Sequence, residues 1–113
     1  MAIIDLQTLT SGANGAVFLW ETVTGDDTGA PLELNGMAGL AVAVQITGTF
    51  GAAVTMQGSI DGTNWATLKT VDGADASLSS AGLLEIATGA RYIRPSAASS
   101  VSDVDVYLAS RRG

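Results

Sequence analysis

The groups in this chain that could bind an ion, move a proton or attack a substrate are acidic and few in kind. Carboxylates come in three close sets, Asp26-Asp27, Asp72 with Asp75, and Asp103 with Asp105, and hard oxygen donors of this sort suit calcium. None has the D-x-[DN]-x-[DN]-G spacing of an EF-hand loop, so solvated carboxylates are expected rather than a metal site. Glu21, Glu33 and Glu85 are the residue type for acid-base work in glycoside hydrolysis, but no signature accompanies them. Ser96, Ser99 and Ser100 offer hydroxyls without an activating base, since the chain has no His and no convincing Lys partner for them. Gly12-x-x-Gly15 and Gly48-x-x-Gly51 lack the Lys and the helix that a phosphate loop needs. The expectation is a chain that is not an enzyme and takes no cofactor and no metal.

What remains is surface chemistry. Trp20, Trp65, Tyr92 and Tyr107 are the candidates for stacking on a sugar ring. For Trp65 the plainer reading is structural: Gly62 supplies the φ of a turn, and Trp65 fills one large core position on the strand that returns. Arg111-Arg112 is the one basic doublet of the chain. It reads either as a solvated end that discourages edge pairing or as a peg for an acidic patch on a partner. Exposed ion pairs contribute about 0.2–1 kcal/mol each, so such a peg matters only when repeated many times. At the other end Ile3, Ile4 and Leu6 make an apolar start, either an arm that reaches a neighbour or the first strand of the domain's own sheet.

Eleven acidic residues against five basic ones leave a formal net charge of −6, the wrong sign for a phosphate backbone, and a nucleic-acid partner is not expected. There is no Cys, so neither a disulfide nor a thiolate metal site can form. The first residues lack the basic start and apolar run of a signal peptide, and no stretch approaches the roughly 18 apolar residues of a spanning helix. A soluble chain made in the cytoplasm, with no membrane partner, is expected. Its 113 residues suit one domain. Hydrophobic residues reach 47%, mostly Ala and Val, whereas aromatic ones stop at 5%, which implies closely packed strands with small side chains.

The elements that would position these groups follow from alternation and turn residues. Residues 15–23 are β-branched and aromatic and lead into a turn-rich loop at 24–29. A short edge strand is expected at 31–35, with Asn35-Gly36 as a turn. In 39–47, Leu40, Val42, Val44 and Ile46 face one way, while the small side chains of Ala41 and Ala43 face the other with Gln45 and Thr47. In 53–60, Val54, Met56, Gly58 and Ile60 share a side. Asp61-Gly62 then makes a hairpin turn into a strand at 63–70. Strands at 83–88 and 91–94 come next, the second ended by Pro95. The last strand, 102–110, puts Val104, Val106 and Leu108 inward. About seven or eight short strands without a helix predict an all-β fold, an antiparallel β-sandwich or jelly roll. Residues 1–113 are expected to form one domain, with 1–14 as an N-terminal arm and 109–113 as a basic C-terminal tail.

Two segments carry a family resemblance. The run from Val54 through Ser59-Ile60-Asp61-Gly62 to Trp65 resembles the S-x-D-G-x-x-W hairpin of discoidin-like and galactose-binding-like jelly rolls, and Ala90-Arg91-Tyr92-Ile93-Arg94 resembles their A-R-Y-I-R strand. Over the whole chain, this hairpin with Arg91 to Ser96 and the Leu108 to Arg112 ending is similar to small virion proteins of tailed bacteriophages. That resemblance implies a capsid decoration, or cement, protein that coats the capsid surface of the virion as a dimer or trimer; from the residues, its contacts with the major capsid protein are expected at the apolar start (Ile3, Ile4, Leu6) and the basic doublet (Arg111, Arg112). The alternative, which rests on the aromatic residues and not on the resemblance, is a carbohydrate-binding module, free or on a phage fibre, stacking its ligand on Trp20, Trp65, Tyr92 and Tyr107.

Overall fold

A computed structural model describes residues 3–12, 15–33, 40–87 and 91–112, with backbone alone at 10–12, 40–41, 87 and 111–112. Asn35-Gly36 and Gly89 lie outside the described residues. Every described element is a strand: β1 (Ile3–Ile4), β2 (Leu6–Gly12), β3 (Gly15–Val23), β4 (Thr28–Gly29), β5 (Leu32–Glu33), β6 (Leu40–Thr49), β7 (Val54–Ser59), β8 (Ala66–Thr67), β9 (Lys69–Thr70), β10 (Ser77–Leu78), β11 (Gly82–Ala87), β12 (Tyr92–Ala97) and β13 (Asp103–Arg112).

The strands form two sheets. The first runs β1-β4-β12-β7-β10, with β5 also on β12 and β8 also on β7; the second runs β2-β3-β13-β6-β11-β9. All described pairings are antiparallel except β1 with β4. The expected antiparallel sandwich, or jelly roll, is the fold observed.

Alternation accounts for how the sheets close on each other. Val42, Val44 and Ile46 on β6 and Val104, Val106 and Leu108 on β13 are buried on the same face of the second sheet. They meet Val54 and Met56 of β7 and Ile93 and Ala97 of β12 across the interior. Trp20 is the largest fully buried side chain, at 0% exposure. Its indole N–H donates to the Ala30 carbonyl at 2.9 Å, which satisfies the one polar atom that so large a buried group carries. A Cβ at Gly29 would lie 2.5 Å from both the Trp20 ring and Pro95, so only glycine admits the indole there.

Three local expectations are corrected. Ile60 does not continue the inward face of β7: the strand ends at Ser59, and Ile60 is 68% exposed. The strand expected at 63–70 is two pieces that divide between the sheets, β8 pairing with β7 and β9 with β11. The chain changes sheets at Leu68, whose N–H still donates to the Met56 carbonyl at 3.0 Å. Pro95 does not end its strand but lies inside β12, buried and opposite Met56. The polar groups of Met56 bond away from β12, to Ala76 and Leu68, so this pair exchanges no hydrogen bonds and Pro95 needs no N–H toward β7. On its other side Pro95 faces the interval between the β4 and β5 pairings.

The termini join the sheets. β1 pairs with β4, and β2 pairs with β3, so residues expected as an arm lie in both sheets. β13 runs on through the residues expected as a tail, with Arg111 opposite Ala41 and Arg112 opposite Leu40.

These placements predict opposite outcomes for two apolar truncations. Trp20→Ala should cost about 3–5 kcal/mol, whereas Ile60→Ser should stay within roughly 0.5 kcal/mol of the parent. Urea unfolding followed by circular dichroism measures both.

Candidate functional site

The outer face of the β7–β12 ladder brings together a cation, an amide and two aromatic rings outside the core. Alternation along β12 sends Ile93, Pro95 and Ala97 inward and leaves Tyr92, Arg94 and Ser96 outside. On β7, Thr55 and Gln57 stand on the same outer face, with Arg94 opposite Gln57 and Ser96 opposite Thr55. Arg94 donates from Nε to Gln57 Oε1 at 2.9 Å. Its guanidinium lies 4.0 Å over the Trp65 ring, measured to the centroid, within the range where cation and ring attract. Partial burial lowers the Arg94 pKa from its ordinary value, yet an arginine remains charged at neutral pH.

The loop before Trp65 explains how the indole reaches this face. The Asp61 carboxylate accepts from Ser59 Oγ at 2.9 Å, from the Thr63 and Asn64 backbone N–H groups at 2.8 Å each, and from Asn64 Nδ2 at 2.7 Å. Ser59 Oγ in turn accepts the Gly62 N–H at 2.8 Å. Gly62 has φ 78°, and a Cβ there would lie 3.4 Å from the Tyr92 ring, so a glycine meets both the turn and the neighbouring aromatic. The Asn64 and Thr63 N–H groups, with the Asn64 and Ser59 side chains behind them, hold the Asp61 carboxyl far below the usual carboxylate range. The turn is a carboxylate-centred loop rather than the tight two-residue hairpin expected from Asp61-Gly62.

Beside this cluster, Arg91 sits 5.2 Å from the Tyr92 ring centroid and reaches Glu33 at 3.4 Å. Arg91 and Glu33 are both substantially exposed, so their attraction adds little to stability. Their position matters more, because it sets a second cation at the end of the same strand as Arg94.

The stacking candidates separate. Trp20 is core and cannot meet a ligand. Trp65, expected in the core, is half-buried on the outer face under Arg94. Tyr92 shares that face, while Tyr107 stands half-buried on β13 in the other sheet. Of the apolar start, Ile3 is 69% exposed, but Ile4 and Leu6 pack against the core. The side chains of Arg111 and Arg112 lie outside the described residues.

The carboxylates hold turns. Asp27 is buried and accepts from the Thr24 N–H at 3.0 Å and the Thr24 hydroxyl at 2.8 Å. Asp105 accepts the Thr22 N–H at 2.9 Å, where β3 carries an extra residue against β13 and Thr22 has φ 58°. Asp72 accepts from the Thr70 hydroxyl, and Asp75 pairs with Lys69. Glu21, Glu33 and Glu85 stand on three different strands. Sequence reasoning missed the pairing of Arg94 with Gln57; the signal was an Arg two residues after Tyr92, but Gln57 becomes its partner only through the register of β7 on β12.

No family model matches the chain, and no curated protein matches it. Solved structures do. The crystal structure of the SPBc2 prophage-derived protein YomS is similar over 93% of this chain and 98% of that one, with a TM-score of 0.68 and 12% identity. The Schizosaccharomyces pombe Cnp3 cupin domain matches over 96% of this chain and 64% of that one, at TM-score 0.53 and 9% identity. An RmlC-like cupin family protein with a double-stranded β-helix fold, from Methanocaldococcus jannaschii, matches over 95% and 77%, at TM-score 0.51 and 7% identity. Identities this low show a shared fold. They overturn one expectation: cupin domains share this architecture, so the fold gives no ground for calling the chain a non-enzyme. The residues present do not fit a metal inside this sandwich. Trp20, Met56 and Ile93 fill the interior, and among the described residues no three of His, Cys, Asp and Glu gather in one place.

The depressed pKa of Asp61 predicts a pH dependence of defined sign. A carboxyl held lower in the folded chain than in the unfolded one stabilises fully above the ordinary carboxylate pKa of about 4 and progressively less as pH falls toward the folded value. Wild type should therefore exceed Asp61→Asn in thermal midpoint by a constant margin above about pH 5 that narrows below about pH 4. Parallel melting curves from pH 2 to 7 would remove Asp61 from this role.

Proposed function

We propose that this chain is a structural protein of a phage particle, and within that class a capsid decoration protein that bridges major capsid subunits. The observation that carries the reading is the likeness to the prophage-derived protein, which runs over nearly the whole of both chains at a TM-score of 0.68. The residues support it in a second way. The outer face of β7–β12 brings Trp65, Tyr92 and Arg94 together, and these are residue types that dominate protein–protein contacts. A dimer or trimer on the shell would repeat each modest contact many times, so that retention arises from effective concentration rather than from one strong site.

A carbohydrate-binding module is the second reading, favoured by Trp65 and Tyr92 sharing a face. Against it stands Arg94, which covers one face of the Trp65 ring at 4.0 Å, and a sugar stacking there would have to displace the guanidinium.

Sedimentation with empty shells of the cognate virus tests the proposal. The chain should pellet with shells at a fixed ratio to the major capsid protein and stay in the supernatant without them. Failure to pellet at any ratio overturns the decoration role.

A further inference from the structure

We infer that the outer face of β7–β12, centred on Arg94, is the docking surface for an acidic segment of a partner protein, whose carboxylate seats against the guanidinium of Arg94. The inference deepens the decoration reading and, for the identity of the partner, rests on it.

The argument starts from charge. In a chain of net charge −6, Lys69 pairs with Asp75 and Arg91 with Glu33. Arg94 differs: among the described residues no carboxylate lies within ion-pair distance of it. Its Nε is held by Gln57, and its face is held by Trp65. These contacts leave the terminal nitrogens, the edge with which arginine grips a carboxylate through two parallel hydrogen bonds. A guanidinium already clamped by an amide and an indole loses little further freedom on binding, so less of the interaction is offset by ordering.

The ligand class follows from what this arrangement admits. A polyphosphate draws on several clustered cations, whereas the cation nearest along this strand, Arg91, is already paired with Glu33. A neutral sugar would have to compete with Arg94 for the Trp65 ring. A protein carboxylate needs neither the ring face nor a basic field, and one planar fork suits it. Arg91 and Tyr92 lie along the same strand end and extend the surface past a single contact.

The test compares wild type, Arg94→Gln and Arg94→Lys, each first shown to melt like wild type, in two assays. On cognate shells, Arg94→Gln should bind about tenfold or more weaker than wild type, with Arg94→Lys recovering only part of the loss because it lacks the fork. Equal binding by wild type and Arg94→Gln overturns the inference and leaves the decoration role standing. Wild type failing on shells overturns that role, and the second assay then decides the inference alone. There, an octaglutamate peptide is titrated while Trp fluorescence is followed. A saturable change that Arg94→Gln and Trp65→Phe both lose supports the inference, and no Arg94-dependent change overturns it. An oligogalacturonate that binds more tightly than octaglutamate with the same Arg94 dependence also overturns it, in favour of a sugar acid.

Discussion

Trp20 is the contact through which the two sheets know each other's position. It hangs from β3 in one sheet, donates its indole N–H to the Ala30 carbonyl at 2.9 Å, and lies against Gly29 of the other, the residue that Pro95 also approaches. A buried indole with its nitrogen satisfied combines large apolar burial with a directional bond, so it anchors β4, the strand beside β12, as well as holding the layers together. With Ile93, Pro95 and Ala97 drawn inward, the period-two geometry of a strand leaves Tyr92, Arg94 and Ser96 no choice but the outer face. The candidate site is in this sense a consequence of the core.

A second, local constraint delivers the aromatic partner. The loop around Asp61 is held by hydrogen bonds converging on one carboxylate, and it places Trp65 under the Arg94 guanidinium. Gln57, across the ladder, completes the clamp. Sheet register, turn chemistry and a cation–ring contact thus meet at a single arginine, and a surface assembled from rigid parts is suited to recognition with little rearrangement.

Much of the fold was legible because β6 and β13 alternate so cleanly: Val42, Val44 and Ile46 and then Val104, Val106 and Leu108 are buried as their spacing requires. The strand at Gly15–Val23 was legible from its β-branched and aromatic residues rather than from alternation. The candidate site was less so. Trp20 and Trp65 both stand in β-like runs, and nothing within a few residues of either says which faces the interior; that depends on the opposing sheet. Pro95 looked like a strand end because the cost of a missing N–H depends on whether the opposite pair exchanges hydrogen bonds, which is a matter of register. The split of 63–70 at Leu68 and the continuation of β13 to Arg112 depend on partners distant in the chain. The carboxylates were expected to be merely solvated, and the turn-fixing role of Asp27, Asp61 and Asp105 was not legible because it depends on which backbone N–H groups the folded loops turn toward them.

The proposed working surface is the β7–β12 face, with Arg94 at its middle. A cryo-electron microscopy reconstruction of cognate shells mixed with the purified chain tests it most directly. If this face docks, density for the sandwich appears on the shell with Arg94 and Trp65 turned toward the capsid and an Asp or Glu of a capsid subunit against the guanidinium. Density in which that face points to solvent, while the opposite sheet or the termini make the contact, would contradict it.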